Sequence, residues 1–256
     1  MLITGATDGL GRALARAADD AGATVLVHGR SEERIAATLD ELSDRARPYR
    51  ADLASLAEVK RLADEVLAAE DRLDVLVNNA GIGTNVPGGG SRQEGADGFE
   101  LRFAVNYLAG YALTHRLLGL LKRSAPSRIV NVSSAGQAPI DFDDVMLERS
   151  YDGVQAYCQS KLAQILFTFD LTDELAGSGV IATCLHPSTY MPTKIVPSPI
   201  STIADGVEAT MRLLTGPPDE VGGRYFNVLR ESRADGQAYD ADARRRLHEL
   251  SEQLTA

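Results

Sequence analysis

Long hydrophobic runs are missing from this chain of 256 residues. Its purely apolar stretches, such as residues 75–77 and 165–167, are far shorter than the roughly 20 residues of a transmembrane helix. The start lacks the basic segment and apolar core of a secretory signal, because residues 1–11 run directly into a glycine-rich loop. We therefore expect a cytoplasmic protein that does not cross a membrane.

Cysteine and histidine are scarce as well. The chain has two cysteines, Cys158 and Cys184, and four histidines, His28, His115, His186 and His248. Neither set shows the close spacing of a metal or redox site. We therefore expect no metal, and we expect both thiols to be buried and reduced.

Positive charge is also in short supply. Lys and Arg total 26 against 36 Asp and Glu, which leaves a net charge of −10. Such an acidic surface opposes binding to nucleic acid and to anionic lipid, so we expect neither as a partner. The rest of the composition, 44% hydrophobic and 24% charged, is typical of a soluble globular protein.

Strand-like and helix-like segments alternate along the chain. Short β-branched runs predict strands at residues 1–3, 24–28, 74–78, 128–133, 180–185 and 224–228, with a weaker one at 48–51. Apolar residues at helical spacing predict helices at residues 12–21, 32–43, 56–69, 98–123 and 155–176. This order predicts an α/β fold, a single-domain Rossmann-type doubly wound parallel sheet with helices on both faces.

We expect one domain over residues 1–256, with a cofactor half at about 1–135 and a catalytic and substrate half at about 136–256. Ligands of such sheets bind at the carboxyl ends of the strands. Only three residues precede Thr4, whereas a strand usually has about five or six, so we expect the first strand to begin upstream of Met1.

The first loop at that edge is rich in glycine. It reads TGATDGLG over residues 4–11, follows the first strand and opens a helix. Its glycines let the backbone approach a phosphate that faces a helix N-terminus, which suits a dinucleotide pyrophosphate. The loop lacks the Lys-Ser/Thr ending of a P-loop, and a simple tight turn is the alternative. The candidate contacts are Gly5, Thr7, Asp8, Gly9, Leu10 and Gly11.

The second strand ends where the adenosine ribose of a dinucleotide would lie. No carboxylate stands there to accept a hydrogen bond from a 2′-hydroxyl, and Arg30, followed by Ser31, offers a cationic fork to a phosphate. This predicts NADP(H) in preference to NAD(H), with a solvated surface arginine as the alternative. After the third strand, Asp52, with Leu53 beside it, either meets the adenine or caps the next helix.

Small and polar residues close the next two strands. Asn79, Ala80 and Gly81 would let the backbone lie against a ribose, or would form an Asn-rich turn. Ser133 and Ser134 end the following strand, where a hydroxyl could polarise a substrate carbonyl.

Tyr157 and Lys161 lie four residues apart and so share one face of a predicted helix. A fixed ammonium lowers the pKa of a nearby phenol, which would make Tyr157 a usable acid or base. The same pair also occurs by chance on solvated helix faces. Asn106, within the helix predicted at residues 98–123, could join the proton path.

Together these residues resemble the short-chain dehydrogenase/reductase family, in which they occur in this order. The likeness covers essentially the whole chain. It is closest to the retinol-dehydrogenase-like branch, through DGFE at residues 97–100, RIVNVSS at 128–134 and AYCQSKLA at 156–163. The resemblance implies that Tyr157 is the catalytic acid/base and that Lys161 lowers its pKa and binds the nicotinamide ribose. It also implies that Ser134 orients the carbonyl and that Asn106 holds a proton-relay water.

Two segments depart from the family's pattern. Where the family has His-Pro-Gly followed by Thr, this chain has Ser188 in place of the glycine and the threonine one place late. The expected contacts to the cofactor's carboxamide are Pro187, Ser188, Thr189 and Thr193. The gap from Ser134 to Tyr157 is longer than in compact members, and residues 141–144 and 151–153 within it could edge the pocket.

The resemblance implies an NADP(H)-dependent oxidoreductase that interconverts a ketone or aldehyde and an alcohol on a small, apolar molecule. Residues 190–203 would then form an apolar lid or pack as an ordinary loop. A homo-oligomer, dimer or tetramer, is also implied, through the helices at residues 98–123 and 155–176. The alternatives are a catalytically silent NADP(H)-binding sensor or structural module, and an NAD-dependent sugar epimerase or dehydratase, which usually carries a larger carboxyl-terminal domain.

Overall fold

One sheet organises the chain in the computed structural model, which describes residues 1–84, 89–189, 191–192 and 200–256. The strands are β1 Leu2–Ile3, β2 Leu26–Gly29, β3 Arg47–Arg50, β4 Val75–Asn78, β5 Ser127–Val132, β6 Val180–His186, β7 Tyr225–Asn227 and β8 Arg230–Glu231. They lie in the order β3-β2-β1-β4-β5-β6-β7-β8. Strands β1 to β7 are parallel and β8 is antiparallel to β7, so the predicted doubly wound α/β sheet is confirmed.

The strand order reverses next to β1. Leu2 of β1 pairs with Leu26 of β2 on one side and with Leu76 of β4 on the other. The chain therefore winds outward in one direction from β1 to β3 and in the other direction from β4 onward. Such a reversal leaves a crevice at the carboxyl ends of the central strands, where sheets of this kind bind ligands.

The helices are α1 Gly9–Asp20, α2 Glu32–Leu39, α3 Leu56–Ala69, α4 Ala109–Arg123, α5 Gly153–Glu174, α6 Ile203–Thr215, α7 Pro218–Val221 and α8 Ala241–Thr255. α1 begins earlier than predicted because the Asp8 side chain accepts a hydrogen bond from Gly9 N–H. α6, absent from the predicted elements, carries a readable start signal, the capping box of Thr202 and Asp205. Within the described ranges, no helix is long and apolar enough to span a membrane, and no His, Cys, Asp and Glu side chains group as metal ligands would.

Alternating side chains of the sheet pack into two hydrophobic cores, one on each face. Leu2 packs in the core that contains α3, α4 and α5, whereas its neighbour Ile3 packs in the core that contains α1 and α6. Successive strand residues point to opposite faces, and in a parallel sheet covered on both sides both sets are buried. This explains why the strand sequences read as continuous apolar runs.

Helix α5 is enclosed by its own chain. Its residues from Gln159 to Phe169 are all buried, so no face of that stretch is open. The outer side is covered by α8, where Leu247 is buried and Ser251 Oγ lies 2.6 Å from the hydroxyl oxygen of Tyr107. The homo-oligomer implied by the family resemblance stays a prediction.

Candidate active site

The glycine-rich loop lies at the carboxyl end of β1 and is shaped for close backbone approach. Gly5 has a φ of +65°, which favours glycine, and a Cβ placed on Gly11 would lie 2.2 Å from the Gly5 carbonyl oxygen. Only glycine at position 11 therefore lets the start of α1 pack this closely against the loop. This compact turn at a helix N-terminus fits the phosphates of a dinucleotide.

Thr4 and Asn79 hold that loop against the end of β4. Thr4 Oγ1 accepts hydrogen bonds from Asn79 N–H at 2.9 Å and from Ala80 N–H at 3.0 Å. Asn79 Nδ2 donates to the Thr4 carbonyl at 2.8 Å. The side chain of Asn79 thus has a structural task in addition to the cofactor contact predicted for it.

His28 fastens the loop to the second and third strands. Its Nδ1 accepts a 3.1 Å hydrogen bond from Gly5 N–H, and its Nε2 donates a 3.2 Å hydrogen bond to the Ala51 carbonyl. Both bonds together require the neutral ring with its proton on Nε2. Burial lowers the pKa of His28 to about 4, so the ring is neutral at pH 7. No role for His28 was predicted from the sequence, although His28 lies just before the predicted ribose site.

The remaining loop residues serve packing and capping. Thr7 lies against Gly29, where an added Cβ would be 2.6 Å from Thr7 Cγ2. Leu10 is buried and faces α6, because a Cβ on Gly206 would lie 3.2 Å from Leu10 Cδ1. Gly9 has a φ of +49° and follows the helix-capping Asp8.

Two arginines flank the predicted ribose site. Arg30 is exposed at the end of β2. Ser31 caps α2 by accepting a hydrogen bond from Arg34 N–H, and Arg34 Nη2 lies 3.2 Å from Asp8 Oδ2. Arg34, which the sequence analysis missed, therefore joins the glycine loop to the start of α2. The sequence feature that could have identified Arg34 is its position in the first turn of the helix that follows Arg30.

Asp52 does not cap α3, which is one of the two alternatives predicted for it. The cap of α3 is Ser55, whose side chain accepts from Glu58 N–H. Asp52 Oδ1 accepts from Ala54 N–H at 3.0 Å and so shapes the turn before that cap. Leu53 is buried in the core, and the contacts of Asp52 and Leu53 to a cofactor stay predictions.

The two serines at the end of β5 point to different partners. Ser133 Oγ donates a 2.7 Å hydrogen bond to the Lys161 backbone carbonyl. Ser134 Oγ accepts from Gly136 N–H at 3.0 Å and is hydrogen-bonded to Tyr157. Ser134 is thus the serine beside the predicted acid/base, while Ser133 ties β5 to α5.

Lys161 lies one turn after Tyr157 on α5 and is fully enclosed. Its Nζ donates to the Val132 carbonyl at 2.9 Å and to Gln164 Oε1 at 3.0 Å. The same nitrogen lies 5.9 Å from the centroid of the Tyr157 ring. Burial lowers the pKa of Lys161 to about 7. Gln164 was not foreseen; its only sequence signal is a polar residue at helical spacing from Lys161 inside an apolar run.

The pKa of Tyr157 moves opposite to the sequence-based expectation. Burial raises it, and the hydrogen bond with Ser134 works against that rise. The lowering by Lys161 that we expected does not prevail, because the phenol is desolvated and two of the three Nζ hydrogens are directed at Val132 and Gln164. The catalytic assignment of Tyr157 therefore rests on its placement beside Ser134 and Lys161.

A π-helical turn, Phe103–Leu108, interrupts the helix predicted at residues 98–123 and presents Asn106 to the site. Such turns recur at functional sites. Asn106 Oδ1 accepts from Ile82 N–H at 2.7 Å, and its Nδ2 donates to Ser160 Oγ at 2.9 Å. A Cβ on Gly81 would lie 3.4 Å from both Asn106 Oδ1 and Lys161 Nζ, so these groups meet around Gly81. The relay-water role of Asn106 stays a prediction.

The segment after β6 forms one wall of a cleft of about 340 Å³. Pro187 and Ser188 are buried and Thr189 is exposed, with Thr189 Oγ1 lying 3.1 Å from His186 Nε2. The cleft is lined by Ser188, Thr189, Ile200, Ser201, Asp205, Glu208, Val228 and Leu229. Thr193 lies outside the described residues, as do Tyr190 and most of the predicted lid at residues 190–203.

A buried ionic cluster organises the insertion before α5. Arg102 and Glu100 are almost fully buried 3.6 Å apart, and the Tyr151 hydroxyl contacts both. Arg102 also donates to the carbonyls of Gly83 and Gly89 at 3.0 and 3.2 Å. The cluster joins the segment after β4 to the start of the helix that carries Tyr157. The cluster was not predicted from the sequence, because no local pattern pairs Tyr151 with residues 49 and 51 positions before it.

Known proteins resemble this chain over most of its length. Residues 1–199 match the family described as short chain dehydrogenase. Human retinol dehydrogenase 14 is 37% identical over an alignment that covers 98% of this chain and 84% of that protein. A crystal structure of a Mycobacterium paratuberculosis protein has a TM-score of 0.83 and 32% identity, covering 99% of this chain and 92% of that one. A metagenomic short-chain oxidoreductase in complex with NADP has a TM-score of 0.68 and 26% identity, covering 91% and 96%.

Proposed function

Since the chain belongs to the short-chain dehydrogenase family of NAD(P)(H)-binding oxidoreductases, we propose that it interconverts a ketone or aldehyde and an alcohol on a small, apolar molecule with NADP(H). The observation that carries this proposal is the grouping of Ser134, Tyr157 and Lys161 at the carboxyl end of β5. A hydroxyl, a phenol and an ammonium meet there in a buried setting.

Each group has a task in carbonyl reduction. When bound, the nicotinamide supplies the hydride for reduction or accepts it in oxidation. As negative charge develops on the carbonyl oxygen, the Ser134 hydroxyl donates a hydrogen bond to that oxygen. The Tyr157 hydroxyl then transfers its proton to the same oxygen, which completes the alcohol. The Lys161 ammonium stabilises the phenolate that Tyr157 becomes.

The dinucleotide fits the residues at the β1 edge. The glycine loop suits the phosphates, because it is a compact turn at the N-terminus of α1 in which Gly11 packs directly against the Gly5 carbonyl. Arg30 at the end of β2 is exposed, and Arg34 stands one helical turn away at the start of α2. Two guanidinium groups beside the predicted ribose position favour a 2′-phosphate, which supports NADP(H) over NAD(H). The metagenomic relative was solved in complex with NADP, which agrees with this preference.

The relatives support an apolar substrate. Human retinol dehydrogenase 14, to which this chain is similar, is named for an apolar alcohol. The cleft beside Ser188 carries no argument about the substrate, because Ser134, Tyr157 and Lys161 do not line it. We propose a neutral, apolar aldehyde or ketone and its alcohol as the substrate pair.

Turnover of a graded carbonyl panel tests this proposal. The panel runs from polar and anionic carbonyls to long apolar aldehydes, including retinaldehyde, and each is assayed with NADPH and with NADH. We expect reduction of neutral apolar members with NADPH. Cofactor binding without turnover of any member would instead favour the sensor alternative, and better turnover with NADH would overturn the cofactor assignment.

A further inference from the structure

The Lys161 ammonium has three N–H donors, and two of them are committed within the protein. One goes to the Val132 carbonyl at the end of β5 and one to Gln164 Oε1 on the next turn of α5. Lys161 and Gln164 are only 5% and 3% exposed, so water cannot easily replace either bond. The third N–H remains for the side of Nζ that faces Gly81 and Tyr157.

Lys161 is held by neutral oxygens alone. Of the described carboxylates, none forms an ion pair with it, and desolvation lowers its pKa. A buried ammonium without a counter-ion is stabilised chiefly by its hydrogen bonds. The Gln164 amide oxygen therefore accepts one of the two hydrogen bonds that the protein makes with this charge. A side-chain substitution can remove this bond, because the other acceptor is the Val132 backbone carbonyl.

The other titratable groups around Nζ add no negative charge. His186 faces it from β6, and its own pKa is lowered to about 4 by burial and by Lys161, so the ring is neutral at pH 7. Tyr157 faces it from α5 and carries a raised pKa, so it is also neutral. Neither His186 nor Tyr157 could therefore stabilise the ammonium with a negative charge if the hydrogen bond to Gln164 were lost.

We propose that Gln164 is a positioning residue that keeps the Lys161 side chain charged and directs its remaining N–H toward Tyr157. The proposal rests on the proposed function, since it assigns Gln164 to the proton-transfer step of that same site. Gln164 itself need not touch substrate or cofactor. Its effect reaches the reaction through Lys161.

The chain is well suited to a direct test, because it contains only four lysines, Lys60, Lys122, Lys161 and Lys194. Protein labelled with ¹³C at lysine Cε gives few signals, and the one lost in Lys161→Met identifies Lys161. Its pKa is then read from an NMR titration of the ligand-free protein. Gln164→Leu should lower that pKa by about one unit, the size expected for one lost hydrogen bond to a charged group.

Two further variants keep the test decisive. Gln164→Glu has nearly the same shape and adds a carboxylate, so it should raise the Lys161 pKa above the wild-type value even if the leucine variant folds poorly. Gln159→Leu makes the same substitution at another buried glutamine of α5, one that donates to the Val145 carbonyl, and should leave the Lys161 pKa unchanged. An unchanged Lys161 pKa in both Gln164 variants would overturn the proposal.

The pH dependence of kcat/KM supplies the second readout. The limb that reports loss of the Lys161 proton should move to lower pH in Gln164→Leu and to higher pH in Gln164→Glu, with the Gln159→Leu profile like wild type. The two proposals fail separately. If the protein reduces carbonyls but the Lys161 pKa is the same in wild type and in the Gln164 variants, the positioning role is contradicted. If the Lys161 pKa changes in those variants but the protein reduces no carbonyl, the proposed function is contradicted.

Discussion

Ser133 Oγ donates a 2.7 Å hydrogen bond to the backbone carbonyl of Lys161, and this bond ties the end of β5 to the helix that carries Tyr157. The adjacent Ser134 turns the other way and is hydrogen-bonded to Tyr157. Two neighbouring hydroxyls therefore have separate tasks, one in joining strand to helix and one at the reacting atoms.

Alanine substitution should separate these two serines. Ser134→Ala removes the donor to the developing oxyanion, so kcat should fall by about 10²- to 10³-fold. It also removes the acceptor of the Gly136 N–H and should cost about 1 kcal/mol of unfolding free energy, so kcat is what separates the two variants. Ser133→Ala breaks a buried hydrogen bond and should cost about 1 kcal/mol of unfolding free energy, with a much smaller loss of kcat. Steady-state kinetics and denaturant unfolding of both variants check this. The reverse pattern would reassign the oxyanion donor to Ser133.

The two arginines near the ribose should set cofactor choice. Arg30→Ala and Arg34→Ala each remove a cation, so we expect each to weaken NADPH binding by about 10- to 100-fold while NADH binding changes little. Fluorescence titration with both cofactors measures this.

Arg50→Ala provides the control for that pair. Arg50 is an exposed arginine on β3 that pairs with Glu32, and its loss should leave the NADPH to NADH ratio as in wild type. Equal losses for both cofactors in the Arg30 and Arg34 variants would show that neither arginine reads the 2′-phosphate.

Neutral His28 should make the fold sensitive to mild acid. Its folded pKa of about 4 lies below the model-peptide value of 6.5, so the unfolded chain takes up the proton first as pH falls. This contribution to stability is present above pH 6.5 and is lost as pH falls toward 4; its upper limit is about 3 kcal/mol. Denaturant unfolding at a series of pH values between 7 and 4 measures the loss.

Glutamine at position 28 tests the source of that slope. His28→Gln cannot titrate, so the unfolding free energy should depend less steeply on pH over this range, while the part due to His186, whose pKa is also lowered to about 4, remains. Identical slopes in wild type and His28→Gln would show that His28 is not the titrating group.

The homo-oligomer implied by the family resemblance is tested by sedimentation equilibrium at micromolar protein. A dimer or tetramer should give two or four times the mass of one chain, 27.4 kDa. The mass of one chain would contradict the homo-oligomer.

The sheet and the main site residues could be predicted because their signals are local. Apolar runs, helical spacing and the glycine loop each reflect neighbouring residues, so β1 to β7 and the positions of Ser134, Tyr157 and Lys161 follow from the pattern. The contacts of Arg34 with Asp8, Gln164 with Lys161 and Arg102 with Glu100 depend on which side chains face each other after folding. The coverage of α5 by α8 likewise joins elements far apart in the chain. The direction of the Tyr157 pKa could not be foreseen, because it depends on burial.

Carbonyl reduction by wild type and by Tyr157→Phe tests the central claim most directly. Both proteins are titrated with NADPH and then assayed for NADPH oxidation with the best apolar carbonyl of the panel. Removal of one hydroxyl leaves the glycine loop, Arg30 and Lys161 in place, so we predict NADPH binding within about twofold of wild type and no measurable turnover. Turnover that persists in Tyr157→Phe at near the wild-type rate would contradict the assignment of Tyr157 as the proton donor.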